Sequence, residues 1–331
     1  MRLNEREQNI LKNLELNANL SMDELAKRTR LQPHSVVYCI AKLKESQILG
    51  PRRASIDIYR LGFCDFHLVF SISTGNSLKR EKFISALKSS PSVAWLAAIG
   101  GTHQFAMSIR ATQVHEVLAF MAALRKSFPN FIRTQELSIV TAVKSYGREY
   151  LYGKRKAAEG FGSRVSDEQV YALDSTDKLI LGGMSEFSLP SERELARLLG
   201  LPFSTVRRRI GILEKNKIIN GYYHHIDAQK LGYQIFKLMI FCRAQDSTFL
   251  RHLEEFAAAH ENIVHYLESF GSWQNELVVE VKEAAEASRI AAKVHEHFES
   301  QIDAVHVIPI FEYYKAVSFP AWSAERLVPR A

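Results

Sequence analysis

The chain has 331 residues, 47% hydrophobic and 24% charged, with a formal net charge of +7. This composition excludes a disordered or collagen-like chain and leaves room for two or more domains. The positive balance favours a polyanionic partner, since phosphate neutralisation drives nucleic-acid binding.

The three cysteines, Cys39, Cys64 and Cys242, contain no C-x-x-C pair. They argue against a disulfide framework or a zinc site and for a reducing, cytoplasmic setting. The opening MRLNEREQNILKNLELN reads as an amphipathic helix rather than a signal peptide. No apolar run is long enough to span a membrane, so no membrane partner is expected.

In chain order, residues 4 to 49 carry three helical patterns, EREQNILKNLEL, MDELAKRT and HSVVYCIAKLKES. A short extended piece follows near Ser55. Next come a strand from Phe66 to Ser73 and a helix from Leu78 to Ser89. Strands from Val93 to Ile99 and Phe105 to Ile109 flank a glycine turn. A helix from Val114 to Ser127 and a strand from Ile132 to Val143 complete a βαββαβ order, the ferredoxin-like split motif. The polar stretch 152–171 reads as a linker or frayed helix.

The same order then returns. Pro190 to Gly221 reads as a helix-turn-helix. Ser191 and Glu194 form a capping box, and Gly200 sits where the chain must turn left-handed. Ser204 or Thr205 is the expected cap of the second helix. Val206, Ile210 and Leu213 make its buried stripe, so Arg207, Arg208 and Arg209 begin the exposed face, at about 100° per residue. A helix that enters the major groove needs such N-terminal residues. Strands follow at Ile235–Arg243, Val264–Ser269, Leu277–Val281 and Ala304–Tyr313, with helices at Thr248–His260 and Ala284–Glu299.

The second half repeats the first at an offset of 170 residues. Glu24-Leu25-Ala26 meets Glu194-Leu195-Ala196, and Ile56-Asp57 meets Ile226-Asp227. Roughly a quarter of about sixty positions are identical in one register, as in a duplicated unit. The organisation read from this is helix-turn-helix 1–53, βαββαβ 54–151, linker 152–171, helix-turn-helix 172–222, βαββαβ 223–318 and a tail 319–331. The fold class is α+β. The two βαββαβ units are expected to pair sheet face to sheet face, because each sheet has one apolar face to cover.

The copies differ at the second helix of each head. Arg208 and Arg209 match Tyr38 and Cys39, and Gly200 matches Arg30. The first head offers His34, Ser35, Tyr38 and Lys42, with Arg52 and Arg53 behind them as a basic wing.

Each half resembles the Lrp/AsnC family of regulators. The resemblance rests on IINGYYHHIDAQKLGY after the second helix, EREQNILKNL at the start, and the strand ends VIPIFEYYKAVSFP and ELSIVTAVKSY. It covers nearly the whole chain twice, a tandem form in place of the usual single copy. It implies a helix-turn-helix joined to a RAM-type βαββαβ domain. Duplex DNA is the implied partner, a small-molecule effector of the amino-acid class the implied ligand, and pseudo-dimerisation within the chain, with homo-oligomers beyond it, the implied assembly. It places an effector at the turns Gly101-Thr102-His103-Gln104 and Gly271-Ser272-Trp273-Gln274-Asn275. Gln104 stands where the family usually has aspartate, and the second turn does not align cleanly.

His224-His225 and His295-Glu296-His297 read as surface or core histidines, because neither spacing aims two rings at one ion. Trp95 and Trp273 read as core or interface aromatics. No phosphate loop, nucleophile elbow or paired carboxylates are present in the sequence, so no catalytic residue, metal or cofactor is expected. Two alternatives remain at this point. Siroheme decarboxylases resemble the same two-part fold, and His265, Tyr266 and Asn275 match part of their pattern. A metabolite-sensing module without DNA binding is the other.

Overall fold

The computed structural model describes residues 3–319 apart from 74, 76, 154–159, 167–168 and 187–189. Part of the expected linker and nearly all of the expected tail therefore lie outside the described residues.

The first head is α1 (Glu5–Leu14), α2 (Met22–Thr29) and α3 (Pro33–Glu45). Capping boxes start α1 at Asn4 with Glu7 and α2 at Ser21 with Glu24. Proline at the first position of α3 costs no hydrogen bond there. A strand, β1 (Leu49–Ile56), leaves the head, and a 3-10 turn (Tyr59–Leu61) leads to β2 (Cys64–Ile72). Then follow α4 (Ser77–Ser89), β3 (Val93–Ile99), β4 (Phe105–Ala111), α5 (Val114–Ser127) and β5 (Ile132–Ser145). Two short elements, α6 (Glu149–Tyr152) and β6 (Phe161–Arg164), lie in the connection.

The second head is α7 (Ser175–Glu186), α8 (Glu192–Leu199) and α9 (Phe203–Lys215). After it come β7 (Ile219–Ile226), a 3-10 turn (Gln229–Leu231), β8 (Gln234–Cys242), α10 (Ser247–Ala259), β9 (Ile263–Gly271), β10 (Asn275–Val281), α11 (Ala284–His297) and β11 (Ile302–Ala316).

Two exchanges join the copies. First, β1 pairs antiparallel with β7, Arg53 opposite Tyr223 and Ala54 opposite Tyr222. Each wing strand thus carries its chain into the other copy's head. Ala54, Ile56, Ile58, Tyr59, Leu61 and Phe63 are buried in the core of the second head, among Ile180, Leu195, Val206 and Leu213. Ile226 and Leu231 are buried in the core of the first.

Second, the sheets share hydrogen bonds as well as faces. The order β2-β4-β3-β11-β8-β10-β9-β5, with β5 also pairing β2, closes a ring of eight strands, and β6 adds to β5. The long strands β5 and β11 make this closure. Their first halves pair within their own sheet and their second halves pair with β9 and β3 of the other copy. The expected face-to-face packing lies inside the ring, and edge closure adds to it, because edges left open would expose unpaired backbone groups. Outside the ring, Phe66, Leu68 and Phe70 pack on Phe83, Val117 and Met121 of α4 and α5. Leu238, Ile240, Leu277 and Val279 pack on α10 and α11. Inside lie Val69, Ala97, Ala106, Val140, Met239, Val264 and Trp273.

Candidate nucleic-acid interface

The second head builds the more cationic surface. Ser191 and Glu194 cap α8 reciprocally, and Gly200 ends it at φ 64°. The helix α9 starts at Phe203 with Pro202 as its N-cap, ahead of the expected caps, so neither Ser204 nor Thr205 caps it. Val206, Ile210 and Leu213 are buried. Ser204, Arg207 and Arg208 are exposed and Thr205 is half-buried. Neither Arg207 nor Arg208 forms an ion pair among the described residues.

Arg209 does not belong to that surface. Its guanidinium lies 2.6 Å from the Asp174 carboxylate and 3.4 Å from that of buried Asp177, both on the α7 side of the head. The expected triplet is therefore a pair, because the third residue points back toward the first helix of its own head. Sequence reading missed Asp174 and Asp177 as its partners. The 170-residue offset could have found them, since Asp177 matches Glu7.

Glu7 has the corresponding role in the first head. It is buried and holds Lys42 at 2.7 Å, about one helical turn further along α3 than the Arg209 position. Lys42 is thus partly tied, and Cys39, the match of Arg209, is buried. His34 and Tyr38 are exposed, Ser35 is half-buried, and Val37, not singled out from sequence, is 55% exposed beside Tyr38 at 69%.

Arg52 and Arg53 do not form a wing behind the first head. The strand exchange carries them to the second. The Arg52 guanidinium sits 4.9 Å from the centre of the Tyr222 ring, and the Tyr222 hydroxyl donates to Glu214 at 2.7 Å. Arg53 donates to the Ala316 carbonyl at 3.0 Å.

The two turns expected to hold an effector align after all. The Gln104 side-chain carbonyl accepts from the Ile72 N–H at 3.1 Å, and Gln274 accepts from the Cys242 N–H at 2.8 Å. Their backbone N–H groups donate to Phe70 and Ile240. Every pair is offset by 170 residues. A glutamine side chain closes the turn in both copies. Gly101 adopts φ 90° and Gly271 φ 147°, and a Cβ on Gly271 would lie 2.5 Å from the Leu137 carbonyl oxygen. Thr102 and Ser272 bond across the same turns, to Ser71 and Leu137. His103 is buried with Nε2 3.8 Å from Glu136. Trp273 is fully buried and donates to Glu276 at 2.7 Å, and Asn275 is buried against Cys242.

The ring interior is charged. Buried Glu276 pairs with Lys237 and lies 3.0 Å from His67. Burial pushes its carboxyl up, but Lys237 and His67 outweigh that and hold it below the usual range. Lys237 also lies 4.9 Å from the centre of the Trp95 ring. A second cluster ties head to ring. Arg148 donates to Glu280 of β10 at 2.7 and 2.8 Å, and to Glu15, at the end of α1, at 2.7 Å. At the same offset in the other half stand Arg110, Ser318 and Ser185. There Arg110 donates to the Ser318 carbonyl at 2.7 Å, and Ser185 accepts from the Phe319 N–H at 2.9 Å. The first head is joined to the ring by ions, the second by neutral hydrogen bonds plus one guanidinium.

Of the histidines, the His265 ring bonds Ser145 at 2.9 Å, and burial pushes its pKa down to about 4. The His224 ring lies 3.1 Å from the Gly50 carbonyl oxygen. Among the described residues no cluster of histidine, cysteine or carboxylate has the makings of a metal site. No helix there is long and apolar enough to cross a membrane.

Together these define a tandem pair of winged helix-turn-helix and ferredoxin-like units, closed on itself within one chain. No protein-family model matches it. Over 63 residues the chain is 38% identical to the HTH-type transcriptional regulator LrpA of Pyrococcus abyssi, covering 19% of this chain and 45% of the relative. Over 122 residues it is 25% identical to an uncharacterised HTH-type transcriptional regulator of the same organism, covering 37% of this chain and 82% of the relative. The first of these matches spans less than half the length of the curated relative. The siroheme decarboxylase NirDL has the same fold over 97% of this chain and 96% of its own, with a TM-score of 0.62 at 12% identity. By sequence the chain is similar to HTH-type transcriptional regulators, each over part of its own length.

Proposed function

We propose that the chain is a sequence-specific, duplex-DNA-binding regulator of transcription whose activity responds to a small metabolite. The observation that carries this is the exposed pair Arg207 and Arg208 at the start of α9, without an ion pair among the described residues and above a buried stripe. Guanidinium groups so placed meet phosphates and base edges when the helix enters a major groove. The four DNA-facing residues of the second head are Ser204, Thr205, Arg207 and Arg208. In the first they are His34, Ser35, Val37 and Tyr38.

A tetrapyrrole enzyme on this fold receives no support from the residues that suggested it. His265 bonds Ser145, the Tyr266 hydroxyl bonds Glu268 at 3.2 Å, and Asn275 faces Cys242. An effector at the glycine turns would have to displace hydrogen bonds that the turns already make. An amino-acid screen by thermal shift tests for one, because a ligand that prefers the native state raises Tm.

Anisotropy of the full chain on duplex fragments across a salt series tests DNA binding. Retention should weaken steeply with salt. The double substitution Arg207→Glu, Arg208→Glu should cut affinity by about tenfold or more at every salt concentration. Salt-independent or absent retention refutes the regulator reading, and a Soret band after incubation with an iron tetrapyrrole would favour the enzyme.

A further inference from the structure

The two heads present unlike chemistry at one geometric position. Helices α3 and α9 have equal lengths, and their buried stripes, Val36–Ile40–Leu43 and Val206–Ile210–Leu213, coincide at the 170-residue offset. Residues 37 and 207 therefore leave the helix in one direction, and so do residues 38 and 208. On the second head these are exposed guanidinium groups. On the first they are an exposed isopropyl group and an exposed phenol ring, Val37 and Tyr38. Helix α3 has no lysine or arginine before Lys42, which Glu7 holds, and its match of Arg209 is a buried cysteine.

We infer that the heads read different bases: the second reads guanine through Arg207 and Arg208, and the first reads thymine methyl groups through Val37 and Tyr38. This rests on the DNA-binding reading above. The chemistry follows from the groove. Guanine presents two acceptors that match a guanidinium fork, and thymine alone carries a methyl group, which apolar side chains contact. The start of α3 has little charge with which to hold phosphate by itself. Its groove contact is delivered by the second head's grip, through the paired wings and the closed ring, at high local concentration. The operator is then asymmetric, with a guanine half and a thymine half.

Selection of full-length protein on random duplexes supplies the site, and footprinting shows its extent. Single replacements of thymine by uracil then remove methyl groups, and single replacements of guanine by 7-deazaguanine remove N7. Uracil should weaken binding about threefold to fourfold per contacted methyl, in one half of the site only. The double variant Val37→Ala, Tyr38→Ala should abolish that penalty. The 7-deazaguanine penalty should be about tenfold, confined to the other half, and abolished by the double variant Arg207→Ala, Arg208→Ala. All four side chains are exposed, and unchanged thermal unfolding of the variants certifies their folds. Equal penalties in both halves, penalties that survive the substitutions, or a footprint covering one half alone each overturn this inference while leaving DNA binding standing. Failure to retain any duplex overturns both.

Discussion

Arg30 and Gly200 occupy the same turn, and both are left-handed, at φ 57° and 64°. Glycine adopts that conformation freely, whereas a residue with a Cβ loses about 1 kcal/mol or more there. Arg30→Gly should therefore stabilise the chain by roughly 1 kcal/mol, and Gly200→Arg should cost a similar amount. Paired denaturant titrations check both, and a destabilised Arg30→Gly would show that the arginine side chain holds the turn by some other contact. The left-handed turn was legible in the sequence of the second head because glycine announces it. In the first head only the repeat register revealed it. The arginine triplet was legible as residues but not as directions. Arg209 turns inward because Asp174 and Asp177 stand 35 and 32 positions earlier, at the start of another helix and beyond the reach of local periodicity.

The elements α1, β10 and the segment after β5 meet at Arg148. Its guanidinium bridges two buried carboxylates, Glu15 and Glu280. Arg148→Met removes the cation these carboxylates share and should destabilise the chain by about 3–5 kcal/mol, the usual cost of breaking a buried pair. Ser185→Ala, at the place matching Glu15 in the other half, removes the hydroxyl that bonds Phe319 but no charge, and should cost far less. Similar losses from the two substitutions would mean that the ionic tie adds nothing. Strand β9 contributes a pH term. His265 has a folded pKa of about 4 against an ordinary 6.5. Between those values the unfolded chain binds the extra proton, so stability is full above about pH 6.5 and declines as the pH falls toward 4. Melting temperature should drop across that window, and His265→Gln should shallow the drop. An unchanged slope would place the acid sensitivity elsewhere.

At the scale of the whole molecule, neither copy completes its own core. The wing strands are exchanged, and β3, β5, β9 and β11 each pair across the copies. The first copy alone, residues 1–152, should therefore self-associate, because it presents two open sheet edges and an unclaimed apolar segment at residues 54–63. Light scattering checks this, and a cooperatively folded monomer would contradict it. The exchange also explains why Arg52 lies against Tyr222, beside the second head, although it follows the first in sequence. Closure into a ring gathers Trp95, Trp273, Lys237, His67 and Glu276 together, so the residues near the turns form an interior network.

Buried stripes, the order of elements along the chain and the duplication itself follow from short-range spacing, and the sequence determined them alone. Capping boxes, 3.6-residue stripes and the 170-residue register are local or self-referential signals. Which arginines stay free, which head owns the wing, how the sheets close and what occupies their interior were decided only in three dimensions. Those outcomes depend on pairings between residues tens to hundreds of positions apart, where charge neutralisation and the burial of strand edges select the partner.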